Sequence, residues 1–292
     1  MIRMTPNRRL MLEELQRRNY APNTIETYLK ALEKFSSRFR KAPDKLGAEE
    51  IRKYQVYLFR DGLSAATVRQ QVAALRFFFV KTLGRRYLVE HVPFPREQRR
   101  LPVILSREEV GQLIDGARTL TQRAMLMTLY GTGMRRAELV QLKVADIDSR
   151  RMMISIRKGK RRRDRLVPLD PRLLATMREY ARGRKLQTYL FPGRQRRDGE
   201  ERPVSTKVVW RACREARERA GIGKPLSPHS LRHSYATHLL EDGTDLYTIQ
   251  MLLGHTDLRH TTVYLHLSGR HLHAVRSPLG QIPLADGGTG KR

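Results

Sequence analysis

A mainly α-helical protein of two domains, the second carrying one small antiparallel β-sheet, is the fold class this sequence predicts. Three observations predict it. Apolar residues recur every three or four positions through most of the 292 residues, the spacing of buried helix faces. RMMISIR (151–157) instead alternates apolar with other residues, and RDRLVPL (163–169) follows after a few basic residues, the pattern of a β-hairpin or the edge of a small sheet. Between the two domains, HVPFPREQRRLP (91–102) sets Pro93, Pro95 and Pro102 among Arg96, Arg99 and Arg100, which makes a stiff, basic, extended linker.

In order along the chain, residues 5–84 predict four helices. TPNRRLMLEELQRR is the first. In the second, Asn23 precedes Thr24-Ile25-Glu26 in a capping-box-like pattern, and Ile25, Tyr28, Leu29, Leu32 and Phe35 share a face. Ile51, Tyr54 and Leu58 mark the third. Ser64 caps the fourth, whose inner stripe is Val68, Val72, Leu75 and Phe79 and whose other face carries Arg69, Arg76 and Lys81; Gly84 ends it. After the linker, Ser106-x-x-Glu109 opens a capping box. Helices are expected over 106–117, 119–130 and 135–142, then the hairpin, then helices over 171–183 and 205–220 and three more segments after 228. The domains are therefore 1–90 (helical), 91–102 (linker) and 103–276 (mixed), with a tail at 277–292 whose ADGGTGKR stretch reads as disordered.

Composition narrows the function. Lys and Arg total 58 against 29 acidic residues, a net charge of +29. A surplus of this size favours a polyanionic partner, because a basic surface gains affinity by releasing counterions from phosphates. The one cysteine, Cys213, excludes a disulfide framework and a cysteine zinc site, and reads as a small buried hydrophobe. No apolar run approaches the ~20 residues of a membrane span, and the N-terminus lacks a signal-peptide core, so a cytoplasmic protein is expected. No GxxxxGK[ST] occurs, which argues against a P-loop NTPase. Asp146 with Asp148 could suggest a metal pair, but no third carboxylate stands out and cations crowd the neighbourhood; His266, His271 and His273 have no spacing that matches a cage, and no metal is expected.

The candidate chemistry lies in three places. In GTGMRRAEL (131–139) the glycines break one helix and Arg135 begins the next, where free N–H groups and a guanidinium fork can meet a phosphate. In RKGKRRRDR (157–165) seven cations fall within nine residues. There Lys158, Arg161, Arg162 and Arg163 suit phosphate binding, and a turn-tip lysine such as Lys160 could protonate a leaving oxygen. The third place, residues 227–266, holds six histidines, three tyrosines and two arginines. His229 and Arg232, three apart, share a helix face; His233 and His238 lie elsewhere around that helix, as residues that support the site from behind or are structural. His255 follows the helix-ending Gly254, and Tyr264 comes nine residues later. A phenol with a pKa near ~10 is a poor nucleophile until cations and a base surround it.

Taken in order, TG-M-Arg135, the hairpin lysine before DRLVPL, HSLRH, LLGH and TTVY closely resemble the tyrosine recombinase (lambda-integrase-like) family, over residues 6–275. Arg161 stands where many relatives have a second glycine, so Lys158 remains an alternative to Lys160. NYAPNTIETY resembles transposon- and integron-linked members and hints at a mobile-element role. The resemblance implies a helical, SAM-like core-binding domain and a mixed catalytic domain. It implies strand exchange in which Tyr264 forms a 3′-phosphotyrosyl bond, Arg135 and Arg232 hold the phosphate, His229 accepts or shares the tyrosine proton, Lys160 protonates the 5′-oxygen and His255 donates a further hydrogen bond. No metal, nucleotide or other cofactor is implied. The partner implied is double-stranded DNA bearing specific sites; the helix face that carries Arg69 and Arg76 could grip its phosphates or stand solvated. A homotetramer on two synapsed duplexes is implied too, with the segment near 268–285 docking on a neighbour and a monomer possible when free. Two alternatives are a type IB topoisomerase-like enzyme and a non-catalytic architectural DNA-binding protein.

Overall fold

The computed structural model describes residues 5–86, 92–96, 102–157, 164–193, 201–255 and 257–265. The chain forms two compact units, 1–100 and 101–292.

In the first unit, α1 (Pro6–Arg17), α2 (Pro22–Phe39), α3 (Ala48–Arg60) and α4 (Ala65–Arg76) follow the predicted order. Ser64 caps α4, its Oγ accepting from the Thr67 N–H at 3.3 Å. The expected cap at Asn23 is not there: Ala21 precedes the helix and Pro22 takes its first turn, where a missing N–H costs nothing. Past Arg76 the helix widens into a π-turn over Phe77–Thr82 before Gly84 at φ +71°. Phe77, Phe78 and Phe79 are all buried there. Phe35 meets Tyr54 and Phe79 edge-on, with ring centroids 5.2 and 6.2 Å apart, the favoured geometry for aromatic pairs.

In the second unit, Ser106 and Glu109 form the expected capping box: Ser106 N–H donates to Glu109 Oε2 at 2.8 Å. The helices are α5 (Arg107–Asp115), α6 (Leu120–Thr132), α7 (Arg136–Gln141), α8 (Pro171–Ala181), α9 (Thr206–Arg219), α10 (Pro228–Glu241) and α11 (Leu246–Leu253). The predicted hairpin is β2 (Met153–Ile156) with β3 (Arg165–Pro168), paired antiparallel through Ile154 and Val167. A two-residue strand that the sequence did not reveal, β1 (Ile147–Asp148), joins β2 and completes a three-stranded sheet. Ile154, Ile156 and Val167 enter a core that also takes Leu126, Leu129, Val209 and Leu231. A smaller cluster joins Ala236 and Leu240 of α10, Ile249 and Leu253 of α11, and Tyr264. The third segment expected after 228 is two 3₁₀ turns, Leu258–His260 and Thr262–Tyr264. Among the described residues no helix is long and apolar enough to cross a membrane.

Candidate active site

Arg135 stands at the boundary between α6 and α7. Gly133, at φ +59°, makes the bend, and an added Cβ there would meet the Tyr235 ring at 2.4 Å. Glu138, one turn into α7, folds back: Oε2 accepts from the Arg135 N–H at 2.8 Å, and Oε1 from the Arg135 guanidinium at 3.0 Å. The amide that the sequence reading offered to an anion is thus already satisfied. Glu138 is also gripped by Arg165 of β3, which donates through Nη1 and Nη2 at 3.0 and 2.7 Å and through Nε to the Leu252 carbonyl at 2.7 Å. Burial alone would raise the Glu138 pKa, but the hydrogen bonds and charges of Arg165 and Arg135 overcome it and hold the carboxyl at about 2.

Arg232, 3 % exposed, is anchored by two backbone carbonyls: Nη1 donates to Gly133 at 2.7 Å and Nη2 to Leu253 at 2.7 Å. Burial, then the neighbouring Arg135, lowers its pKa to about 10, so it stays charged at neutral pH. One turn earlier His229 is exposed at the rim. Partial desolvation and then Arg232, Arg136 and Arg135 lower its pKa.

α11 ends at Gly254, φ +63°, which turns the chain and delivers His255 to the same place. His255 Nδ1 bonds the Thr261 hydroxyl at 2.9 Å, and its ring lies nearly parallel to that of Tyr264, 10° apart. Burial and the nearby guanidiniums push its pKa down to about 3, so the imidazole is neutral. Tyr264 is 1 % exposed as a residue, and burial raises its pKa against the opposing pull of Arg232 and Arg135.

Arg135, His229, Arg232, His255 and Tyr264, spread over 130 positions of sequence, therefore meet around one cavity of about 300 Å³, joined by His233 and His260. Arg69 and Arg76 are elsewhere, on α4 of the first unit, where both guanidiniums stack on Phe94 at 5.0 and 4.6 Å and Arg76 also donates to the Val92 carbonyl. Lys158, Lys160, Arg161, Arg162 and Arg163 lie outside the described residues. Asp146 and Asp148 are engaged locally: Asp146 accepts from the Lys143 N–H and pairs with Arg157, and Asp148 accepts from the Arg150 and Arg151 N–H groups. Among the described residues no group of three or more potential metal ligands occurs.

Three residues at or beside the site carry no clear signal in the sequence. Glu138 is announced only by its spacing from Arg135, and Arg165 is one of seven cations in the 157–165 run, with nothing in the sequence to set it apart. His233 was placed off the site, yet its Nδ1 is the imidazole atom at the Tyr264 hydroxyl, 3.1 Å away. The imidazole that touches the Tyr264 hydroxyl in this structure is that of His233, while His229 stands at the rim of the same cavity. Helical spacing could have found it, since residues four apart share a face.

Two family models match the chain: the phage integrase family over residues 104–271, and the phage integrase N-terminal SAM-like domain over 8–88. A putative integrase/recombinase of Sinorhizobium fredii is 43% identical over 96% of this chain and 90% of its own length. Tyrosine recombinase XerA of Pyrococcus furiosus is 35% identical, covering 86% of this chain and 85% of that protein. Among solved structures, a lambda integrase tetramer bound to a Holliday junction superposes with a TM-score of 0.67 at 19% identity, over 87% of this chain and 74% of that one.

Proposed function

This chain belongs to the phage integrase family and is a tyrosine recombinase, and from that premise we propose that it cuts and rejoins DNA strands at specific sites through a 3′-phosphotyrosine bond on Tyr264. The single observation that carries the reading is the meeting of a phenol with two fixed guanidiniums in one cavity large enough for a phosphodiester. Beside that cavity, among the described residues, Arg135 and Arg165 both pair with the Glu138 carboxylate, and Arg232 is held by backbone carbonyls, so guanidiniums outnumber the carboxylate. The surplus of positive charge suits the negative charge that grows on the nonbridging oxygens in the transition state, and it is preorganised by bonds to backbone and carboxylate.

In this mechanism Tyr264 attacks phosphorus in line with the departing 5′-oxygen. Arg135 and Arg232 hold the nonbridging oxygens, and neutral His255, fixed through Thr261, donates to one of them. Lys160 protonates the 5′-oxygen; its alternative in the same loop is Lys158. A 5′-hydroxyl of a partner strand then attacks the phosphotyrosine and completes the exchange. One phosphoester replaces another of similar energy, so neither nucleotide hydrolysis nor a metal is required by the chemistry. The lambda integrase tetramer on a Holliday junction supports the same assembly for this chain: four copies on two synapsed duplexes.

A suicide DNA substrate tests the reading. Wild-type protein is expected to accumulate a covalent adduct that Tyr264→Phe abolishes while DNA binding persists; an adduct surviving that change overturns the assignment. The leaving-group role is read separately. A 5′-bridging phosphorothioate, whose sulfur departs without a proton, is expected to restore cleavage by Lys160→Ala; rescue of Lys158→Ala instead moves the role by two positions.

A further inference from the structure

A buried phenol loses its proton reluctantly, so attack on phosphorus requires a group that takes the proton as the O–P bond forms. The cavity offers few. The guanidiniums of Arg135 and Arg232 donate and cannot accept. His255 lies nearly parallel to the Tyr264 ring, and its Nδ1 is committed to Thr261. His260 meets His255 edge-on, and His229 is exposed at the rim. His233 differs from all of these. It follows Arg232 directly on α10, its ring is tilted 51° to that of Tyr264 with centroids 5.8 Å apart, and its Nδ1 stands 3.1 Å from the phenolic oxygen.

We infer that His233 is a catalytic residue, the proton acceptor for Tyr264. This rests on the reading of Tyr264 as the nucleophile. The Tyr264 O–H bond breaks as its oxygen bonds phosphorus, and the proton passes to Nδ1 of His233. The P–O5′ bond breaks in the same displacement, and the 5′-oxygen takes its proton from the hairpin lysine. In the return step, attack by a 5′-hydroxyl expels the Tyr264 oxygen, which recovers the proton from His233. The role requires the tautomer with hydrogen on Nε2, leaving Nδ1 its lone pair.

The groups facing His233 suit this role. His229 and Arg232 come from its own helix, Arg135 from the start of α7, and His255, His260 and Tyr264 from the segments after α11. Burial and then His229 and Arg232 lower its pKa to about 4, so it is neutral across the physiological range, and a weaker base than a free imidazole.

Single-turnover adduct formation by the full-length protein on a suicide duplex tests the role. His233→Ala is expected to slow adduct formation by ~10²–10⁴-fold, the range of general acid–base catalysis, with DNA affinity held within a few-fold. Added imidazole is expected to restore much of the rate, in proportion to its unprotonated fraction. A variant that cleaves at the wild-type rate overturns the role, and so does a loss that imidazoles of differing pKa and size leave untouched. A second measurement needs no variant of His233 and no activity. Nitrogen NMR of the free protein is expected to show Nδ1 of His233 unprotonated, with a resonance that moves in Tyr264→Phe; a protonated Nδ1 overturns the proposal. If the wild-type protein forms no adduct, or Tyr264→Phe still forms one, the nucleophile reading fails, and the NMR result still decides whether His233 is placed as an acceptor.

Discussion

α2 and α10 are both long helices, and they bury their surfaces in opposite ways. α2 places Leu29, Ala31, Leu32 and Phe35 inward and leaves its charged residues in solvent. α10 is buried nearly all round apart from His229 in its first turn, and what it buries includes Ser230, Arg232, Ser234 and His238. Each of these has a partner. Ser230 Oγ accepts from the Ser227 N–H, Arg232 spans two carbonyls, Ser234 bonds Leu105 and Ser230, and His238 Nδ1 meets the Tyr130 hydroxyl at 2.8 Å. An apolar face specifies only where a helix lies, whereas a helix wired by directional bonds also fixes where each side chain points. The candidate site hangs on the second kind. The two kinds should respond differently to mutation.

The largest difference is expected at Arg165, which joins β3 to α7 and the end of α11. Arg165→Met leaves the Glu138 carboxylate, 11 % exposed, without its bidentate partner. Breaking a buried pair from one side costs about 3–5 kcal/mol, and the melting transition of the second unit should fall accordingly. Glu138→Gln added to Arg165→Met should cost less than the sum of the single changes. Strict additivity would mean that the two side chains do not act together.

Acid reads the same network. The Glu138 carboxyl, at about 2 in the folded chain against 4.5 when free, contributes stability that is fully present above pH 4.5 and is lost as pH falls toward 2. The shift corresponds to about 3 kcal/mol. Glu138→Gln should flatten the acid limb of a stability–pH curve for the second unit, and an unchanged limb would remove Glu138 from the account.

The same contrast explains what was legible in the sequence. The stripe Ile25, Tyr28, Leu29, Leu32 and Phe35 announces α2, because a helix with one wet face prints its period in the chain. Arg135, Arg232, His255 and Tyr264 were picked out by the order and spacing of motifs that resemble a family, and the structure brings all four to one cavity. His233 and Arg165 were not. α10 has no polar face to set off its buried one, so the only pointer to His233 was its spacing of four from His229. Arg165 stands in a run of cations that composition cannot divide into solvated and buried members. β1 is two residues long, too short for alternation to show, and it forms because β2 offers Ile154 and Met153 as partners.

A smaller effect is expected at Ser234. Its Oγ accepts from the buried Leu105 N–H at 2.9 Å and donates to the Ser230 carbonyl. Ser234→Ala strands that amide at a cost of about 1–3 kcal/mol, although it removes a single atom. Denaturant unfolding that shows no loss would mean that α10 is held by its apolar contacts after all, and the contrast with α2 would disappear.

The smallest effect is expected on the other side of the comparison. Leu32, 4 % exposed, packs in the apolar cluster of the first unit with Phe35, Tyr54 and Val72. Leu32→Met keeps the volume and the lack of polarity while changing the shape, and such exchanges cost less than about 1.5 kcal/mol. No bond direction is lost, because none was made. Adduct formation by this variant should match that of the wild type once the protein is folded. A loss at Leu32 as large as that at Ser234 would show that the first unit, too, is specified atom by atom, and that its plain periodicity conceals a requirement as strict as the one around Tyr264.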